Sequence, residues 1–234
     1  MQTLSEIGNK LLNSKTHIYV TILLAVTISL MIRIHNLGTV SFFWDETFTW
    51  YVSESTDQII AKISRDVHPP AYFFFVSIWK DLFGISEFSL RFPSVLFSIF
   101  TLLSLVHYAS AISRSHAVAF TIIISTMFVF SPLDIHLSRF ARQYTLIMFL
   151  CTCFSYSLFE FAFSGNKRFL IFSFFIALLA IYSHYMALVY VTATIITIIL
   201  IKPSRSNIIH SLSSYNAGAL LHATAEYTLF PVGY

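Results

Sequence analysis

Thr16-His17-Ile18-Tyr19-Val20-Thr21-Ile22-Leu23-Leu24-Ala25-Val26-Thr27-Ile28-Ser29-Leu30-Met31-Ile32 carries no charged residue and is preceded by Lys10 and Lys15. As a helix this run extends about 25 Å, enough to cross a bilayer with help from its flanks. No small-residue cleavage site follows, and Arg33 leads into more sequence of the same kind. The run therefore reads as a retained first transmembrane helix rather than a signal peptide. Its lysines place the N-terminus in the cytoplasm, so the segment from His35 onward faces out.

Working outward, the rest of the chain is equally sparing with charge. Hydrophobic residues make up 56% and charged residues 11%, against about a quarter charged in an average soluble domain. Long stretches have nothing with which to make a polar surface. The fold class predicted is an all-α integral membrane protein, a bundle of about six or seven transmembrane helices. No charge interrupts the intervals between Arg91 and Arg114, between Arg114 and Asp134, or between Arg142 and Glu160. The uncharged stretch from Phe169 to Ile201 would be about 50 Å long as one helix, too long for a single crossing, and is divided at Ser183-His184-Tyr185.

The placement of the basic residues orients these helices. Arg114 with His116, Lys167 with Arg168, and Lys202 with Arg205 fall inside, leaving Arg139, Arg142 and Ser183-His184-Tyr185 outside. Parity then requires Arg91 to start outside too. Ala71 to Phe83, with Lys80 and Asp81 in it, is accordingly a juxtamembrane or re-entrant helix. Ser55-Thr56-Asp57 can cap a further short helix whose apolar face is Ile59, Ile60 and Ile63. The domains expected are residues 1–15 as a cytoplasmic N-terminus and 16–201 as the membrane module, with 35–90 as its first outer loop. Residues 202–234 follow as a cytoplasmic loop and the start of a further, incomplete apolar segment. The net charge of +3 reads as topology and offers no footprint for nucleic acid. Cys151 and Cys153, two apart in an apolar run, read as structural thiols that neither pair nor bind metal.

This map gathers Asp45, Glu46, His68, Arg139, Arg142 and His184 at one membrane face. A carboxyl beside a low-dielectric boundary has its pKa raised, and a like-charged neighbour raises one of a pair further, giving a group suited to take a proton from an acceptor hydroxyl or amine. Asp45 and Glu46 are the candidate catalytic pair. With His68 they are also a candidate set for a divalent cation, and a third reading has them punctuate a loop and cap the next helix. Arg139 and Arg142, three apart at a helix start, share a face and can bind phosphate through paired hydrogen bonds. The alternative is that they snorkel to the interface or hold lipid headgroups. Their outer position, against the positive-inside tendency, favours a specific anion. His68 can join them on phosphate, or serve a structural role before Pro69-Pro70. His184, costly in an apolar run unless paired or hydrated, is grouped with Tyr185 and Tyr144 as candidate substrate-binding residues.

Trp44-Asp45-Glu46, His68-Pro69-Pro70-Ala71-Tyr72, Ser89-Leu90-Arg91-Phe92-Pro93-Ser94, Ser131-Pro132 and Ser138-Arg139-Phe140-Ala141-Arg142 occur in this order. The series resembles the N-terminal module of the polytopic GT-C glycosyltransferases, among them the protein O-mannosyltransferases and the lipid A aminoarabinose transferase, over residues 15 to 201. The resemblance implies a polyprenyl-phosphate-linked sugar donor and transfer on the non-cytoplasmic side. It also implies an essential acidic residue in the first outer loop, here Asp45, acting as the base in an inverting transfer. Arg139, Arg142 and His68 would then hold the departing phosphate, while Glu46 orients the acceptor or helps hold a metal. Family members are commonly about twice this length, and some carry an acidic residue where Gln143-Tyr144 stands. The alternative reading is a non-catalytic polytopic membrane protein, a lipid-binding, flipping or assembly subunit. A bacterial plasma membrane is expected in preference to the endoplasmic reticulum.

Overall fold

The computed structural model describes residues 4–64, 66–112 and 116–201, with side chains from Lys15 onward. The expectations placed on Arg114, Lys202, Arg205 and residues 202–234 lie outside the described residues. Those described are arranged as α1 (Leu4–Ile34), α2 (Trp44–Ser53), a 3₁₀ turn (Thr56–Gln58), α3 (Ile59–Ile63), α4 (Ala71–Phe83), α5 (Glu87–Ile112), α6 (Ala117–Val129), α7 (Pro132–Leu137), α8 (Tyr144–Ser164), α9 (Lys167–Ser183) and α10 (Met186–Ile201). The protein is all-α. Within α1, α5 and α8 lie stretches long and apolar enough to cross a membrane, Lys15–Ile34, Glu87–Ala111 and Tyr144–Ser164, and α6 and α10 are shorter apolar helices.

The distribution of side chains is that of a protein dissolved in lipid. Tyr19, Leu23, Leu24 and Met31 on α1, Ile171, Phe172, Phe174 and Phe175 on α9, and Val189, Ile199 and Leu200 on α10 all face outward. Small polar residues lie inside, among them Ser94, Ser98, Thr101, Ser125, Thr145, Ser157 and Ser173. Apolar tails replace water around such a bundle, so close approach and internal hydrogen bonds take over the work of burial. Ser173 and Thr152 illustrate this, each donating to the carbonyl four residues earlier.

Polar contacts fix how the ends of the helices meet. Arg33 at the end of α1 is fully buried and bonds Asp134 Oδ2 at 2.6 Å and Ser98 Oγ at 3.0 Å. It also donates to the Phe128 and Val129 carbonyls at the end of α6. The finishes of α1 and α6 therefore meet at α7 and the first half of α5. Helix α5 contains Pro93, which cannot bond back to Ser89; the Trp79 indole N–H takes the free Ser89 carbonyl at 2.9 Å. Helices α5 and α8 start together and run the same way, because Ser94 Oγ donates to the Phe140 carbonyl at 2.5 Å and, later along both, His107 and Tyr156 meet at 3.1 Å. Helices α9 and α10 join at His184, whose ring lies 6.1 Å from that of His68. One end of the bundle thus collects the finishes of α1, α6 and α9, the starts of α5, α8 and α10, and all of α2, α3, α4 and α7.

Two details differ from the sequence expectation. Trp44 to Ser53 forms a helix rather than open loop, with Asp45 and Glu46 in its first turn, where acidic residues complement the helix dipole. In α3, Ile59 and Ile63 are buried but Ile60 is 55% exposed, so the apolar face is narrower than the spacing suggested.

Candidate active site

The first turn of α2 is anchored by Glu46. Its side chain is fully buried and makes a two-pronged ion pair with Arg91, Nε to Oε1 and Nη2 to Oε2, both at 2.8 Å. Oε1 also accepts the Ala141 N–H at 2.9 Å and Oε2 the Phe43 N–H at 3.0 Å. Burial alone would raise the Glu46 pKa, but the bonds from Arg91, Ala141 and Phe43 outweigh it and the net shift is downward. With every good acceptor direction taken, Glu46 presents nothing to an acceptor or a metal. It ties α2 to the link between α7 and α8.

That ionised state makes a pH prediction. A carboxyl whose folded pKa lies below its unfolded value contributes stability that is complete above the unfolded pKa and fades as pH falls through the folded one. For Glu46 the loss begins below its ordinary value of 4.5. Unfolding midpoints in detergent, followed from neutral pH down through that value, should fall in the wild type and lose much of this acid dependence in Glu46→Gln. Equal acid sensitivity in both would remove Glu46 as the cause.

Asp45, one residue earlier, faces the other way. It is exposed, and its carboxylate makes no hydrogen bond or ion pair with any described residue. Its backbone carbonyl is the handle by which the site is built, accepting from Thr49 Oγ at 3.2 Å and from Arg142 Nη1 at 3.2 Å.

Arg142 and Arg139 do not share a helix face. Both lie in the non-helical link 138–143, which Ser94 grips through the Phe140 and Arg142 carbonyls. Arg142 turns inward and is 3% exposed. Besides the Asp45 carbonyl it meets Thr49 Oγ at 3.5 Å and His68 Nε2 at 3.0 Å. Its buried Nε has no partner among the described residues. Arg139 instead lines a cavity of about 210 Å³ with Asn36, Leu37, Val40, Phe43, Arg91, His136 and Phe140, and Arg142 does not reach it.

His68 is bonded on both nitrogens, Nδ1 to Asp66 Oδ2 at 2.8 Å and Nε2 to Arg142. Burial raises the Asp66 pKa, yet the His68 and Val67 N–H bonds and the nearby Arg142 charge bring it below its ordinary value. His184 stands beside this group, its Nδ1 accepting the Met186 N–H at 3.1 Å and so capping α10. Partial burial, then His68 and Arg142, lowers its pKa and favours the neutral ring. Tyr185 is 58% exposed next to it, and Tyr144 opens α8 half-buried; neither phenol is hydrogen-bonded to a described residue.

The structure therefore brings together Asp45, His68, Arg142 and His184, sets Glu46 behind them and separates Arg139. Among the described residues no three His, Cys, Asp or Glu side chains converge as a metal cage. Asp45, Glu46 and His68 do not fit one, since the acceptors of Glu46 and both nitrogens of His68 are in use. Sequence reasoning missed Asp66 and Thr49 at the site, and the pairing of Arg91 with Glu46. A carboxylate two residues before a histidine was the available signal for Asp66; the contacts of Arg142 with Thr49 and of Arg91 with Glu46 are long-range and left none.

A family model described as dolichyl-phosphate-mannose-protein mannosyltransferase matches residues 67–225, well over half of the chain. No curated protein and no solved structure matches it.

Proposed function

We propose, because the chain belongs to the dolichyl-phosphate-mannose-protein mannosyltransferase family, that it transfers a sugar from a polyprenyl-phosphate donor to an acceptor hydroxyl at the end of the bundle carrying Asp45. Membership makes it a membrane glycosyltransferase of the mannosyltransferase type. In the proposed reaction the acceptor oxygen attacks the anomeric carbon from the face opposite the phosphate, its proton passes to the Asp45 carboxylate, and the bond from that carbon to the phosphate oxygen breaks. Configuration inverts. The polyprenyl phosphate leaves with one more negative charge than the donor carried, and Arg142 receives that charge. Glu46 positions α2, and His68 positions Arg142. The same reading sets the active end on the non-cytoplasmic face of a bacterial plasma membrane, with residues 1–15 in the cytoplasm and 16–201 as the membrane module.

The observation that carries this reading is the state of Arg142. Arg33 and Arg91, the other buried arginines among the described residues, are each paired with a carboxylate. Among the described residues Arg142 has a carbonyl, a hydroxyl and an imidazole but no carboxylate, and its Nε–H has no partner there. A buried guanidinium without a counter-charge is costly, and a phosphate beside an exposed, unpartnered carboxylate would supply both halves of a transfer site. Binding of radiolabelled dolichyl-phosphate-mannose, and transfer from a panel of polyprenyl-phosphate sugars, test this on the full chain in nanodiscs. Arg142→Gln should weaken donor binding by about 10- to 100-fold, the value of a charge-assisted hydrogen bond. Unchanged binding would remove Arg142 as the phosphate ligand, and the absence of transfer from every donor would count against an active enzyme.

A further inference from the structure

We infer that Asp66 is a positioning residue that selects the His68 tautomer able to hold Arg142 in place. This rests on the reading of Arg142 as the donor-phosphate ligand. A guanidinium has no acceptor, so in the 3.0 Å contact between Arg142 Nη2 and His68 Nε2 the arginine donates and Nε2 offers its lone pair. The neutral ring then carries its proton on Nδ1, which lies 2.8 Å from Asp66 Oδ2 and donates to it. The other carboxylate oxygen is committed as well, because Oδ1 accepts the Val67 N–H at 2.8 Å. Asp66, with both oxygens accepting, offers His68 no donor and leaves the ring only the tautomer that Arg142 needs.

The geometry gives the isosteric substitution an unusual consequence. In Asp66→Asn the Val67 N–H still requires the one remaining oxygen, which turns the amide NH₂ toward His68 Nδ1. The ring must then accept at Nδ1 and carry its proton on Nε2, where it faces Arg142 donor against donor. Asp66→Ala removes the partner but imposes no tautomer, so Nδ1 can keep its proton, bonded to water, while Nε2 still accepts from Arg142. A side chain that merely packed or filled space would show the reverse order, with alanine the more damaging change.

The test uses the full chain in nanodiscs with ¹⁵N-histidine labelling, His68 being assigned by its loss in His68→Asn. The wild type should carry the His68 proton on Nδ1, Asp66→Asn on Nε2, and Asp66→Ala on Nδ1 again. Dolichyl-phosphate-mannose should bind Asp66→Asn about tenfold or more weakly than it binds Asp66→Ala, reflecting a lost charge-assisted bond. A wild-type His68 protonated on Nε2, or an alanine variant bound as weakly as the asparagine variant, overturns the inference. Arg142→Gln separates the two ideas: unchanged donor binding there overturns the phosphate reading of Arg142, while the tautomer spectrum still decides the role of Asp66.

Discussion

Asp45→Asn is expected to lower the rate of sugar transfer about 10³-fold, the usual worth of a positioned general base, with donor affinity nearly unchanged. The substitution is conservative in structure. What the surroundings use of Asp45 is its backbone carbonyl, which bonds Thr49 and Arg142 and which asparagine retains. The carboxylate itself is exposed and has no partner among the described residues, so its loss should leave no buried group unsatisfied, and the unfolding midpoint should match that of the wild type. Single-turnover measurements separate the outcomes. A slowed chemical step with intact binding of dolichyl-phosphate-mannose is the result expected of a base, whereas raised donor KM with unchanged turnover would place Asp45 in binding. Wild-type rates in the asparagine variant would end the proposed role.

The features legible in the sequence were those that depend on local pattern. Uncharged runs marked α1, α5 and α8, and the break at Ser183-His184-Tyr185 separates α9 from α10. Parity of the basic residues made Ala71 to Phe83 a juxtamembrane or re-entrant helix, and a helix forms over those residues. The assembly of Asp45, His68, Arg142 and His184 at one end followed from the same counting. What pattern could not supply was the partner of each charge. Arg139 and Arg142 look equivalent three residues apart, yet in the link held by Ser94 one turns inward onto Asp45, Thr49 and His68 and the other lies at a different cavity. Asp45 and Glu46 look like a carboxylate pair, yet the helix twist sends one to solvent and the other onto Arg91, 45 positions away. In a chain with so few charges, each one near the end of an apolar run has a reason to be there, and Arg33 with Asp134 shows that the reason is often another charge.

Arg91→Ala should be the most destabilising single change at this end of the molecule, costing about 3–5 kcal/mol as expected for breaking a buried ion pair from one side. All five guanidinium N–H groups are employed: two on Glu46, two on the Leu37 and Val40 carbonyls and one on the Ser41 carbonyl. Removing them strands a fully buried carboxylate together with three backbone acceptors. Replacing the pair by leucines at both positions, often harmless for an isolated buried salt bridge, should not restore stability here. The Phe43 and Ala141 N–H groups and the three carbonyls would remain without partners. Arg142→Gln is the control that gives the comparison meaning. It removes a buried charge that has no carboxylate, so the donor-free protein should keep or gain stability even as donor binding falls. If thermal unfolding in detergent instead shows Arg142→Gln to be as damaging as Arg91→Ala, Arg142 is a structural strut like its neighbour, and its missing counter-charge does not mark a phosphate site.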